Sequence, residues 1–132
     1  MLKIISKIFS VFVGLTVINV WLFRSEKNTL FRGGNAGNLL EEFEVYGLED
    51  YFLIIGVVKV SLAVILLLSL YFNKLRFFAS SGIAIMMLVA IYMHISIDDE
   101  LIKSLPASIL LISSLIIAYT EKISSKWFDS YI

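Results

Sequence analysis

The run "GVVKVSLAVILLL" (residues 56–68) carries a single charged side chain, the ammonium of Lys59. A charge inside hydrocarbon costs at least about 2.5–3.5 kcal/mol unless it is paired, hydrated or snorkelled to the surface. A buried amine can donate hydrogen bonds to a ligand oxygen, and burial also favours its neutral, proton-accepting form. The lone histidine, His94, can donate, accept or pass a proton near neutral pH. Asn19 and Ser108 add an amide and a hydroxyl. Together these four groups could hold the polar head of a lipophilic ligand, with Lys59 and His94 on its oxygens. Glu49, Asp50, Asp98 and Asp99 are the acidic residues placed to neutralise Lys59.

Such groups need elements to position them, and composition says which. The chain has 132 residues, of which 59% are hydrophobic; a soluble domain averages roughly 45–50%. A chain this short has too little polar surface to cover that load in water, so lipid is the expected solvent. One proline and sparse glycine permit long unbroken helices. Without cysteine the chain can form neither disulfides nor thiolate metal sites, and one histidine cannot supply a bis-histidine haem. No metal site is expected. The carboxylates of "DDE" (98–100) are too few and unframed for calcium.

Crossing about 30 Å of hydrocarbon takes roughly 20 helical residues. Four segments qualify or nearly so: 2–23, 51–72, 77–97 and the shorter 105–120. Trp21 and Phe23 stand where an interfacial aromatic belt would sit. Pro106 suits a first helical turn, where its missing N–H leaves no bond unmade. Residues 2–23 are long for a signal-peptide core, and "NVWLFRS" offers no small-x-small cleavage site, so a retained first span is predicted. The predicted fold is all-α, a transmembrane four-helix bundle forming one domain.

The long link starts as "RSEKNTLFRGGNAGN", whose glycines and polar residues read as a flexible loop over 24–38. It continues as "LLEEFEVYGLED". Here Leu39, Leu40, Phe43 and Tyr46 fall at helical spacing, with Glu41, Glu42 and Glu44 largely off that face. The prediction is a short amphipathic segment, about 39–50, lying on the membrane or over the bundle mouth in the first extracytoplasmic loop.

Bases set the orientation. Lys3, Lys7, Lys74, Arg76, Lys122 and Lys126 fall on the side of the termini, against Arg24, Lys27, Arg32 and Lys103 on the other. Both termini are therefore expected in the cytoplasm, and brevity without sorting signals suits a bacterial inner membrane. Counted along alternating spans, Lys59, Asn19, His94 and Ser108 all fall in the outer half. The inner half offers Ser10, Thr16, Ser80 and Ser81, all uncharged. This asymmetry predicts a polar cavity opening outward, roofed by residues 39–50. Plainer roles compete: a snorkelling or structurally paired Lys59, a helix-packing His94, and Asn19 as interhelical glue.

The stretch "FEVYGLEDYFLIIGVVKVSLAVILLL" resembles the second-helix region of the DoxX-like membrane proteins, through Phe43, Gly47, Gly56 and Lys59. "FFASSGIAIMMLVAIYMHI", with Gly82 and His94, is similar to that family's third helix. "DDELIKSLPASILLISSL", with Asp98, Asp99, Leu105, Pro106 and Ala107, is similar to the start of its fourth. The likeness spans most of residues 1–120, although Glu49 stands where many relatives carry proline. It implies a four-helix membrane bundle but no one activity, since relatives resemble oxidoreductase subunits linked to quinone, assembly factors or proteins of unknown role.

Three function classes follow. The first is a non-catalytic accessory, assembly or scaffold component touching membrane lipid, a membrane protein partner or a second copy of itself. It is favoured because no nucleophile–base pair, metal set or phosphate loop is legible. The second is a quinone- or lipid-binding subunit of an oxidoreductase, with Lys59 and His94 on the ligand and any redox cofactor on another chain. A transporter is weaker, since four spans are few for alternating access and no broken helix pair is visible. No nucleic-acid partner is expected.

Overall fold

The computed structural model describes residues 2–23, 34 and 36–129. Most of the loop expected at 24–38, with Arg24, Lys27 and Arg32, lies outside the described residues. Helix α1 covers Leu2–Ile18 and continues as a π-helical turn, Asn19–Phe23. A short α2, Leu39–Tyr46, follows the loop. A 3-10 turn at Glu49–Tyr51 leads into α3, Phe52–Leu68. Helix α4 spans Leu75–Ser96, and a second 3-10 turn at Leu101–Ser104 precedes α5, Leu105–Asp129. Lys3–Phe23, Glu49–Leu68, Leu75–Ser96 and Leu101–Ile123 are long and apolar enough to cross a membrane. The all-α transmembrane four-helix bundle expected from the sequence is the fold observed.

Boundaries follow local chemistry. Pro106 stands at the second position of α5, where a backbone N–H would lack an intrahelical partner. Asn38 caps α2, its Oδ1 accepting from the Glu41 N–H at 2.8 Å, while Glu41 Oε2 accepts from the Gly37 N–H at 2.7 Å. Gly47 ends α2 at φ 75°, a left-handed conformation that favours glycine. Its N–H donates to the Glu44 carbonyl and the Leu48 N–H to the Phe43 carbonyl, at 3.0 and 2.8 Å.

Helix α3 packs on α1 and α4, and α5 packs on the same two, closing a four-membered ring. Val13, Val17, Ala63, Leu66, Ile83 and Ile117 fill the middle. The outward faces, among them Leu53, Ile85, Leu88 and Tyr119, stay exposed, as lipid-facing surfaces must.

One end of the ring corrects the sequence reading, which counted Arg76 among the bases on the side of the termini and left the inner half of the spans uncharged. Helix α4 begins at Leu75, and Arg76 in its first turn is completely buried. Its Nη1 donates to Glu121 Oε1 at 2.5 Å, its Nη2 to the Ser69 carbonyl and to Asn73 Oδ1, and its Nε to Ser69 Oγ at 3.2 Å. Ser6 Oγ donates to Glu121 Oε1 at 2.8 Å, and Lys3 lies 3.6 Å from the other carboxylate oxygen. A guanidinium tolerates burial only when its donors and charge are met together; here the start of α1, the end of α3, the start of α4 and the later part of α5 meet them. These bonds join all four spans at one end, as an up-down-up-down order requires. Helix α2 covers the opposite end.

Candidate functional site

Under α2 lies a cavity of about 350 Å³, within the range of small-ligand sites. Val17, Met87, Ala90 and Leu110 give it apolar walls, and Asn19, Glu42, Lys59, His94 and Lys103 supply polar groups. Pro106 and Ala107, in the first turn of α5, also line it.

Lys59 reaches the cavity from α3, its ammonium over the indole of Trp21 at 5.5 Å from the ring centroid. Trp21 belongs to the π turn that ends α1. It meets Phe43 edge-on at 5.6 Å and Phe52 at 5.2 Å between centroids, and Phe43 meets Phe52 edge-on at 5.2 Å. These rings tie the end of α1 to α2 and α3. Gly56 makes room for the indole, because a Cβ there would stand 2.7 Å from Trp21 Cζ3. A cation over a ring gains about 0.5–2 kcal/mol, less than the cost of placing a charge in hydrocarbon. The cation is therefore only partly compensated. Glu42 is the acid whose field reaches it.

Glu42 corrects the expected face of α2. Leu39, Glu42 and Phe43 are buried, and Leu40 is 44% exposed. Positions 39, 42, 43 and 46 form one i, i+3, i+4, i+7 stripe, so the carboxylate belongs to the inward face. Tyr46 Oη donates to Glu42 Oε1 at 2.9 Å, which satisfies part of its polarity.

At the far side of the cavity His94, the last-turn histidine of α4, is buried. Its Nδ1 lies 2.8 Å from Asp99 Oδ2, a contact that only a protonated Nδ1 makes favourable. Its Nε2 faces Glu42 Oε1 at 3.7 Å, and Tyr46 Oη lies 3.2 and 3.3 Å from the two ring nitrogens. Asp99 Oδ1 also accepts from the Gly34 N–H at 2.9 Å, with Lys103 Nζ 3.7 Å away. Lys103 in turn donates to the Gly34 carbonyl. Burial pushes the Asp99 carboxyl up, but the His94 and Gly34 hydrogen bonds and the Lys103 charge outweigh it and hold the group below the usual carboxylate range. Asp98 supports the turn, holding φ 55° just after α4, a conformation aspartate accepts more readily than most residues.

Of the residues singled out from sequence, Lys59, His94 and Asn19 line the cavity. Ser108 lies on α5 beside Pro106 and Ala107 but is not part of the lining. Glu49 and Asp50 are exposed in the 3-10 turn before α3, and Asp98 is exposed as well. Asp99 pairs with His94 and Lys103 instead of Lys59. Sequence reasoning missed Glu42, Tyr46 and Lys103; the stripe beginning at Leu39 was the signal that could have found the first two. No group of three or more histidine, aspartate or glutamate side chains suited to a metal ion occurs among the described residues.

Residues 29–117, more than half of the chain, match the model of the DoxX-like family. No curated protein and no solved structure matches the chain.

Proposed function

The chain belongs to the DoxX-like family, and on that premise we propose that it is a non-catalytic membrane component holding a lipophilic ligand of the quinone type in the roofed cavity. The observation that carries this reading is Lys59, a donor set among the apolar walls of the cavity with its ammonium over the Trp21 ring. A neutral carbonyl oxygen suits it better than an anionic headgroup, because Glu42 lines the same cavity and would repel a phosphate. Asn19 offers a further polar contact, His94 acts on the site through its carboxylate partners on the roof and the turn, and Val17, Met87 and Leu110 take the ring or the start of its tail. Any electron transfer to such a ligand would fall to a partner chain that brings the redox cofactor.

We further propose that both termini lie in the cytoplasm of a bacterial inner-membrane protein, with the roofed end facing outward; the excess of bases on the side of the termini supports this orientation. The test is titration of the detergent-purified protein with a short-tailed ubiquinone. Lys59→Met is expected to weaken binding about tenfold or more, the loss of a charged donor being about 1.5–3 kcal/mol, and His94→Leu by less. Equal affinity in wild type and both variants, or none in the wild type, overturns the proposal.

A further inference from the structure

Histidine 94 sits between two carboxylates that belong to different bodies. Asp99, at 2.8 Å from Nδ1, lies in the turn between α4 and α5; Glu42, at 3.7 Å from Nε2, lies on the roof helix α2. A neutral imidazole has one N–H to give. The short Asp99 contact takes it, so Nε2 presents a lone pair that opposes the Glu42 carboxylate and can at most compete with Glu42 for the single O–H of Tyr46, 3.3 Å away. A protonated ring has two N–H groups and a positive charge. It then satisfies both carboxylates at once and ties α2 to the bundle.

We propose that His94 is a pH-sensitive latch on the α2 roof, closing over the cavity when the imidazole is protonated and loosening when it is neutral. This is regulation of the site described above and rests on reading that cavity as a ligand site. The other charged or titratable groups around the latch sharpen the switch. From α2, Tyr46 donates to Glu42 and touches the imidazole. Ahead of α5, Lys103 lies 3.7 Å from Asp99 and secures that carboxylate. From α3, Lys59 lines the same cavity and acts on Glu42. When protonated His94 engages Glu42, the hold of Glu42 on Lys59 weakens, and the ammonium is left to a ligand oxygen. Closure and ligand capture thus favour each other.

The roof can be read without any ligand. Hydrogen exchange of the α2 amides in the purified full chain, corrected for intrinsic rates, is compared at pH 5.5 and pH 8. Histidine is the side chain whose ordinary titration falls between these values. Protection of α2 relative to α4 is expected to be on the order of tenfold greater at the lower pH. His94→Gln, which keeps a donor but cannot gain charge, is expected to flatten the response, and so is Glu42→Gln, which leaves the histidine in place. Wild-type protection that does not change with pH overturns the proposal, and so does a response surviving in either variant. A chain that binds no quinone yet shows the pH-dependent roof would sink the ligand assignment and leave the latch standing.

Discussion

Arg76 and Glu121, 45 residues apart in sequence, meet at 2.5 Å with both side chains withdrawn from solvent at the terminal end of the ring. Breaking one side of such a pair strands the other charge, at a cost of about 3–5 kcal/mol. Arg76→Met and Glu121→Leu are each expected to destabilise the detergent-solubilised protein by about that much. The double variant should recover most of the loss, because two apolar side chains strand nothing. Denaturant unfolding of all four proteins gives the coupling directly.

Lys59→Met should have the opposite sign on stability. It removes an ammonium whose compensation is a ring face, and methionine keeps the length of the stem. The empty protein is expected to gain about 1–2 kcal/mol in unfolding free energy, while losing affinity for a carbonyl ligand. A variant both less stable and weaker in binding would point to a structural lysine.

Gly56→Ala tests the indole's seat. On an open helix face the change would stabilise by up to about 1 kcal/mol. Here the new methyl would stand 2.7 Å from Trp21, and overpacking costs about 1–3 kcal/mol. The expected net result is destabilisation, with a shift in Trp21 fluorescence read in a Trp127→Phe background.

Acid should release the Asp99 turn. Because Asp99 is held below the usual carboxylate range, its stabilising contribution is complete above the unfolded value of about 3.9 and is lost as pH falls through the folded one. Protection of the Gly34 amide and of α2 should therefore decline below about pH 4. Asp99→Asn should start from lower protection and lack that decline. Together with the His94 latch, the wild-type roof is expected to be tightest in mildly acidic solution.

The spans were legible because each is a run of apolar residues of membrane length, and only four such runs exist. Helix α3 nonetheless stops at Leu68, four residues before the expected end, because Ser69 and Asn73 are drawn into bonding Arg76. Arg76 itself was hidden for a physical reason: a guanidinium beside "NKL" looks solvated until a distant carboxylate is known to meet it. Of the nearby serines, Ser6 reaches the cluster through Glu121, whereas Ser10 and Ser80 bond to backbone carbonyls one turn before them. Glu42 was not legible as an inward residue because a carboxylate reads as solvent-facing until a partner such as the Tyr46 hydroxyl is known to meet it. Lys59, His94 and Asn19 stood out because polar groups in apolar runs are few.

The π turn at Asn19–Phe23 has a geometric consequence. A π turn packs more residues into one revolution than the 3.6 of an α-helix, so the end of α1 is out of phase with the helix below it. Were those five residues wound as ordinary helix, the indole would rotate away from Gly56 and face another neighbour. The shape of the cavity wall is therefore a matter of phase, set by how the backbone is wound as much as by which side chains it carries.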